Sequence, residues 1–163
     1  KRAYIGVDFG WSAPSAVMLV VESQGEMYID QLGYGPNMDN PEIAAVIIDQ
    51  GYGDIETICD AAEPKSIADL KGLGINAVKS DNKEIELGIR VMERYKKHYT
   101  ERSVDSIEEN RKYRYPQLPD GTYGEVPIKA NGHAKDAERY VFLNRLSNIP
   151  SGFDVTYGSA SRK

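Results

Sequence analysis

Three strand-like segments fill the beginning of the chain and constrain its fold more than any other feature. Each is rich in Val, Ile, Leu and Tyr, and only short stretches containing Gly and Ser separate them. Strands this close in sequence pair antiparallel. The sequence therefore predicts an antiparallel three-stranded unit formed by residues 4–9, 16–22 and 27–34.

Helical and strand-like segments alternate in the chain that follows. Asn40 and Pro41 predict an N-cap and a proline at the first helical position, and Gly51 ends that helix. Further helices are predicted over 63–72, about 83–97, 103–113 and about 133–146, with short strands over 55–60 and 75–79. This order predicts an α/β fold with a mixed central sheet and helices on both faces.

The segment 113–129 differs in character, because aromatic and β-prone residues flank the turn sequence Pro119-Asp120-Gly121. We expect a β-hairpin insertion there. After Asn148 the chain is rich in Pro, Gly and Ser, so 149–163 is expected to be a loosely ordered tail. With 163 residues, 40% of them hydrophobic, the whole chain is expected to form a single domain.

Composition excludes several classes of protein. No apolar run approaches the roughly 20 residues that span a bilayer. The chain begins at Lys1 without a Met or a signal-type stretch, and we expect it to be a soluble piece of a longer protein. The single Cys59 excludes an internal disulfide and a multi-cysteine zinc site, which fits a reducing compartment.

The net charge of −5 is unfavourable for a nucleic-acid enzyme, because Lys and Arg supply most non-specific affinity for phosphate. We therefore expect the isolated chain to bind DNA weakly. A cluster of carboxylates would account for part of the acidity, and a separate partner domain could carry a basic surface.

Two predicted strands end in an aspartate. Asp8 follows the first strand and Asp60 follows the fourth, and if these strands are neighbours their carboxylates lie together. Each acid alone is as well explained as a turn cap or a helix-entry residue. Asp8-Phe9-Gly10 also matches a protein-kinase motif, but no Gly-rich loop or His-Arg-Asp precedes it.

His133 and Asp136 stand three residues apart on a predicted helix, so one helical face projects both side chains. A solvated polar face is the simpler explanation for such a pair. Ala134 and Ala137, however, would allow this helix to approach the sheet closely, and Asp136 could then complete a triad with Asp8 and Asp60.

Three converging carboxylates repel one another unless a cation compensates their charge. Hard oxygen ligands of this kind suit Mg²⁺ or Mn²⁺, and two such ions can activate water and stabilise the leaving oxygen in phosphodiester hydrolysis. His133 could orient a phosphate, assist proton transfer or contact a metal, and the sequence does not choose among these roles.

Given these positions, the chain resembles the carboxyl-terminal nuclease domain of phage terminase large subunits, a ribonuclease H-like family, over nearly its whole length. The first matching segment, around Asp8, is common to many ribonuclease H-like proteins, whereas the Asp60 and His133 segments are more specific. The matching segments are Gly6-Val7-Asp8-Phe9-Gly10-Trp11 with Pro14-Ser15-Ala16, Asp60-Ala61-Ala62-Glu63-Pro64-Lys65-Ser66-Ile67, Lys83-Glu84-Ile85-Glu86-Leu87-Gly88-Ile89, Tyr113-Arg114-Tyr115, and His133-Ala134-Lys135-Asp136-Ala137-Glu138-Arg139-Tyr140.

The resemblance implies a ribonuclease H-like nuclease that binds Mg²⁺ or Mn²⁺, as a pair of ions, through Asp8, Asp60 and Asp136, with His133 at the site. It implies cleavage of concatemeric double-stranded DNA during genome packaging in the host cytoplasm. Implied partners are an ATPase motor domain, the portal and the small terminase subunit, with no membrane. The hairpin expected over 113–129 would limit access to the site.

Two features depart from the family pattern. Many relatives carry an acid before the Pro of the first segment, where this chain has Ala13, and no Gly-x-x-x-x-Gly-Lys phosphate loop accompanies the nuclease segments. Other classes share parts of the pattern: a Holliday-junction resolvase, a sugar-kinase-like ATPase, which would need a second such domain, and a non-catalytic ribonuclease H-like docking module. The Asp60 segment favours the terminase.

Overall fold

A computed structural model describes residues 1–112, 117–124 and 132–148. The strands are β1 (Arg2–Asp8), β2 (Ser15–Ser23), β3 (Glu26–Gly35), β4 (Thr57–Cys59), β5 (Ala77–Lys79) and β6 (Lys97–Tyr99). The helices are α1 (Asn40–Ile48), α2 (Pro64–Gly72), α3 (Ile85–Glu93), α4 (Val104–Lys112) and α5 (His133–Val141), and a π-helical turn, Phe142–Leu146, continues α5.

The six strands form one sheet in the order β5-β4-β1-β2-β3-β6. The first three strands pair antiparallel, as the sequence predicts, because short turns join them. The later strands β4, β5 and β6 pair parallel to their neighbours, and their connections run through helices. The mixed sheet is therefore confirmed, and β1 and β4 lie side by side with their carboxyl ends at the same edge.

The sequence prediction is wrong on the sixth strand. The helix predicted over 83–97 ends at Glu93, and Lys97–Tyr99 pairs with β3 instead. This strand has three residues, too few to show alternation of polar and apolar positions. Its place depends on contacts with β3, including the stacking of His98 on Tyr28 at 4.7 Å between ring centroids.

The start of α1 also differs from the prediction. The N-cap is Asp39 and not Asn40, because the Asp39 carboxylate accepts from the Glu42 amide while Glu42 accepts from the Asp39 amide. Each α-helix described has nine residues. Within the described ranges, no helix is long and apolar enough to cross a membrane.

Only the centre of the predicted hairpin falls within the described residues. There Gln117 forms an antiparallel bridge with Tyr123, and the Leu118 amide donates to the Thr122 carbonyl at 2.7 Å. Gly121 has a φ of +84°, a conformation that glycine adopts readily. The turn is thus present at the predicted place, while 113–116, 125–131 and the predicted tail 149–163 lie outside the described residues.

Helices cover both faces of the sheet, as predicted, and each face has its own core. Ile5, Val7 and Leu19 pack with α1 and α2, and Cys59 is fully buried among them. On the opposite face, Met18, Val20 and Ile58 pack with α3, α5 and the π-helical turn. Alternate residues of β1 and β2 point to opposite faces, so one strand serves both cores.

Helix α5 lies unusually close to β1. A Cβ atom on Gly6 would lie 1.9 Å from the carbonyl oxygen of Ala137, so only glycine permits this approach. Ala134 and Ala137 are both fully buried against the sheet. The close approach brings the first turn of α5 to the carboxyl end of β1, where Asp8 lies.

Candidate functional site

Asp8 is the buried acid of the site, with 7% of its surface exposed at the end of β1. His133 Nδ1 lies 3.1 Å from Asp8 Oδ2, and the Tyr140 hydroxyl donates to Asp8 Oδ1 at 3.2 Å. Burial raises the pKa of Asp8 to about 6, the negative charge of Asp136 adds to this effect, and the His133 and Tyr140 contacts oppose it. The folded protein thus holds a carboxylate whose charge is poorly compensated.

Asp60 lies beside Asp8 because β4 runs parallel to β1. Val7 pairs with Cys59, and the Asp60 amide donates to the Val7 carbonyl at 3.3 Å. The Asp60 carboxylate accepts from the Ala62 amide at 3.0 Å and forms an ion pair with Lys83 at 2.7 Å. Partial burial acts to raise the pKa of Asp60, but the Ala62 amide and the Lys83 ammonium hold it below its usual value.

Asp136 reaches the site from the first turn of α5, one turn after His133. Its carboxylate forms an ion pair with Arg139 Nη1 at 3.1 Å, and both side chains are largely buried. The spacing of three residues places the acid and the base on one helical face. The positive charge of Arg139 also lowers the pKa of Asp60, so one guanidinium compensates part of the charge of both acids.

Tyr140 shows how closely the acids are grouped. Its hydroxyl is bonded to Asp8, and burial followed by the charges of Asp8, Asp60 and Asp136 raises the pKa of Tyr140. All three carboxylates therefore act on one hydroxyl group. The structure brings the predicted residues Asp8, Asp60, Asp136 and His133 to the same end of the sheet, and their chemical roles stay predictions.

Three residues at the site have no role in the sequence prediction: Lys83, Arg139 and Tyr140. They occur within the segments that resemble the nuclease family, but the predicted site contains only acids and a histidine. The spacing of Asp136 and Arg139 on one helical face was the available signal for one pair. Nothing local to Lys83 indicates its contact with Asp60, which depends on the fold.

Gly88 of α3 makes room for Arg139. A Cβ atom at position 88 would lie 2.3 Å from Arg139 Cγ, so the arginine side chain passes over the helix only because the residue is glycine. Arg139 Nε is buried without a hydrogen-bond partner among the described residues. The guanidinium is thus confined beside Asp136, with little room to move.

The donor set suits a hard divalent cation, because three carboxylates lie at the same end of the sheet and the Asp8 charge is poorly compensated. In the positions described, however, no group of three or more His, Cys, Asp and Glu residues is arranged to hold a metal ion. Asp60 and Asp136 are instead engaged by Lys83 and Arg139. The chemistry of the donors fits Mg²⁺ or Mn²⁺.

Several solved structures with the same fold come from phage large terminases. The large terminase nuclease domain of bacteriophage SPP1, solved with bound Mn, has a TM-score of 0.77 and 21% identity, covering 88% of this chain and 86% of that chain. The P22 large terminase nuclease domain has a TM-score of 0.64 and 15% identity, covering 88% and 81%.

A large terminase from a thermophilic bacteriophage, solved in complex with ATP-γ-S, has a TM-score of 0.70 and 21% identity, covering 89% of this chain and 40% of that chain. This chain therefore spans less than half the length of that terminase. No protein-family model matches the chain, and a search of curated proteins found no significant match. The predicted ribonuclease H-like fold of terminase nuclease domains is confirmed.

Proposed function

We propose that the chain is the nuclease domain of a phage large terminase and that it cleaves double-stranded DNA with divalent metal ions. The observation that carries the proposal is that β1, β4 and α5 bring Asp8, Asp60 and Asp136 to one end of the sheet, where Tyr140 donates to Asp8 and the charges of all three acids raise the pKa of Tyr140. The same fold occurs in the SPP1 nuclease domain solved with bound Mn.

Asp8, Asp60 and Asp136 would hold the ions. When bound, two Mg²⁺ or Mn²⁺ ions would activate a water molecule and stabilise the leaving oxygen of the phosphodiester. His133 and Tyr140 each contact one oxygen of Asp8, so together they fix the orientation of that carboxylate. Orientation of this kind from outside the ligand set is how proteins tune metal sites.

Lys83 and Arg139 compensate the charge of the proposed metal ligands in the absence of metal. In the structure each neutralises one acid, Asp60 or Asp136 respectively. A bound cation would take over that compensation, and the Lys83 ammonium, which is 44% exposed, would then be free to contact a phosphate of the DNA strand, whereas Arg139 stays buried. Positive groups held at that position stabilise the charge that develops on the phosphate during hydrolysis.

The biological setting follows the same proposal. The substrate is concatemeric double-stranded DNA, cut during genome packaging in the host cytoplasm, and the partners are an ATPase motor domain, the portal and the small subunit. The large terminase of the thermophilic phage, of which this chain matches 40%, was solved in complex with ATP-γ-S. A basic surface on such a partner would offset the net charge of −5, which weakens DNA binding by this chain alone.

Plasmid cleavage tests the proposal. At low salt and millimolar Mn²⁺ or Mg²⁺, the protein should convert supercoiled plasmid to nicked and linear forms. Asp8→Asn, Asp60→Asn and Asp136→Asn should each slow cleavage by about a thousandfold or more, which corresponds to several kcal/mol of lost stabilisation by the ions. Asp54→Asn changes an exposed acid outside the site and serves as the matched control.

A plasmid that stays supercoiled with both ions would contradict the proposal, as would acid-site variants that cleave like the unmodified protein. A four-way junction supplied beside linear DNA separates this activity from that of a junction resolvase. Preference for the junction would reassign the site to the resolvase class.

A further inference from the structure

Helix α5 carries His133 and Asp136 but has no N-cap side chain of its own. Its N-cap is Gly132, which makes no side-chain hydrogen bond. The first amides of a helix have no partner within the helix, and a buried helix end needs acceptors from elsewhere. The position of this helix end matters, because its first turn presents both predicted site residues.

Glu109 of α4 supplies the missing acceptors. Its Oε1 accepts from the Ala134 amide at 3.3 Å, and its Oε2 accepts from the Lys135 amide at 3.0 Å. These amides belong to the second and third residues of α5, the ones that an N-cap side chain normally binds. Glu109 is 6% exposed, and its negative charge lies at the positive end of the helix dipole.

The cap is held in place from the sheet. The backbone amide of Gln31 in β3 donates to Ser103 Oγ at 2.9 Å. The Gln31 side chain donates to Asp105 and accepts from the Ser106 backbone amide at the start of α4. Glu109 follows about one turn later and accepts from the Tyr34 hydroxyl of β3 at 2.8 Å. A series of hydrogen bonds thus connects β3, through α4, to the first turn of α5.

We propose that Glu109 is a positioning residue for the metal site, a cap donated by α4 that sets the first turn of α5 so that His133 and Asp136 meet Asp8. The expected effect on metal affinity rests on the proposed function, whereas the capping of α5 by Glu109 does not depend on a metal. Helix ends without a cap fray, and fraying here would move His133 first. Loss of such supporting contacts typically weakens metal affinity by about 10- to 100-fold.

The test compares Glu109→Ala, Glu109→Gln and a matched control, Glu108→Ala, in the full chain. Glu108→Ala changes an exposed acid of the same helix, which pairs with Lys112 within α4. Calorimetry with Mn²⁺ measures affinity. Nuclear magnetic resonance of the two histidines measures position, because the chain holds only His98 and His133, and His98 lies on β6 away from the site.

Glu109→Ala should weaken Mn²⁺ binding by about tenfold or more, and Glu109→Gln, which keeps an amide oxygen as acceptor, should recover part of that loss. Without metal, the His133 Hε1 resonance should shift in Glu109→Ala and stay in place in Glu108→Ala, while His98 stays unchanged in both. If Glu109→Ala fails to fold, Glu109→Gln carries the same comparison with a smaller expected change.

Unchanged Mn²⁺ affinity and an unchanged His133 resonance in the Glu109 variants would overturn the inference. An equal loss in Glu108→Ala would overturn it too, because Glu109 would then act only through the stability of α4. If the unmodified protein binds no Mn²⁺, the proposed function fails instead, and the metal-free His133 resonance still decides whether Glu109 positions α5.

Discussion

The face of the sheet covered by α1 and α2 is closed mainly by aliphatic side chains, whereas the face covered by α5 also buries charged groups. Of the six buried charged residues in the described part of the chain, five lie on α5 or contact it: Asp8, Glu109, Lys135, Glu138 and Arg139. A buried charge is costly unless partners surround it.

This difference teaches how the two faces position what they carry. Aliphatic packing on the α1 and α2 face tolerates small adjustments, because dispersion contacts have little directional preference. On the α5 face, directional hydrogen bonds and ion pairs define where the helix lies. The candidate site is on the face whose geometry is defined by directed contacts.

The largest expected effect concerns the buried pair Lys135 and Glu138. Lys135 Nζ lies 2.9 Å from Glu138 Oε2, and Ser106 and Tyr99 also donate to this carboxylate. Glu138→Gln should lower the free energy of unfolding by about 3 kcal/mol, because the Lys135 ammonium loses its opposite charge. Adding Lys135→Met should restore at least half of this loss.

Denaturant unfolding measures these free energies. The control combines a residue on the α5 face with one on the α1 and α2 face. Lys135→Met combined with Leu70→Ala should be additive to within about 0.5 kcal/mol, because the two side chains share no partner. If the effects of Lys135→Met and Glu138→Gln on the free energy of unfolding were simply additive, the proposed contrast between the two faces would be wrong.

A second, smaller effect concerns the close approach of α5 to β1. Gly6→Ala should lower the free energy of unfolding by about 2.5 kcal/mol, because the added Cβ atom meets the Ala137 carbonyl and must displace the helix. Mn²⁺ affinity should fall with it, since Asp136 moves away from Asp8. Gly35→Ala is the control, because a Cβ atom there meets nothing within 4 Å. Equal melting temperatures for the two variants would show that α5 does not depend on this contact.

The smallest expected effect has the opposite sign. Burial raises the pKa of Asp8 from 3.8 to about 6, so the folded protein retains a proton that the unfolded chain releases between these values. Stability therefore falls as the pH rises from about 4 to about 6. In metal-free protein, Asp8→Asn should raise the free energy of unfolding by about 2 kcal/mol above pH 6, less than the roughly 3 kcal/mol of the full pKa shift because asparagine keeps only one of the two acceptor oxygens, and give no gain below pH 4.

Thermal unfolding in a chelator at the two pH extremes checks this expectation. Asp60→Asn provides the comparison, because the pKa of Asp60 is lowered in the folded protein. The charge of Asp60 therefore stabilises the fold at every pH above the usual pKa of a carboxyl group. Asp60→Asn should destabilise the protein at neutral pH. A stabilising Asp60→Asn, or an Asp8→Asn that destabilises at neutral pH, would contradict the assignment of charge compensation within the site.

Much of the fold could be predicted because its signals are local. The strands β1 to β3 are runs of seven to ten residues rich in aliphatic and aromatic side chains, and proline and glycine mark the ends of α1 and α2. The short β6 has no such signal. The acids at the ends of β1 and β4 could be found because parallel neighbouring strands bring their carboxyl ends together.

The support of the site could not be predicted in the same way. Glu109 lies 25 residues before Ala134, whose amide it accepts, and Lys83 meets Asp60 only after β4, β5 and α3 have assembled. Such contacts leave no periodicity in the sequence. A pattern of acids indicates which residues could bind an ion, while the residues that orient them depend on the tertiary structure.

The burial of Cys59 at the end of β4 has a practical consequence for chemical labelling. Burial and the neighbouring Asp60 raise the pKa of this thiol to about 12, so almost none of the reactive thiolate form exists at neutral pH. It is also the single cysteine of the chain. A cysteine introduced at an exposed position, such as Tyr123 beside the 118–121 turn, would therefore take up a maleimide dye or nitroxide without background from the native thiol.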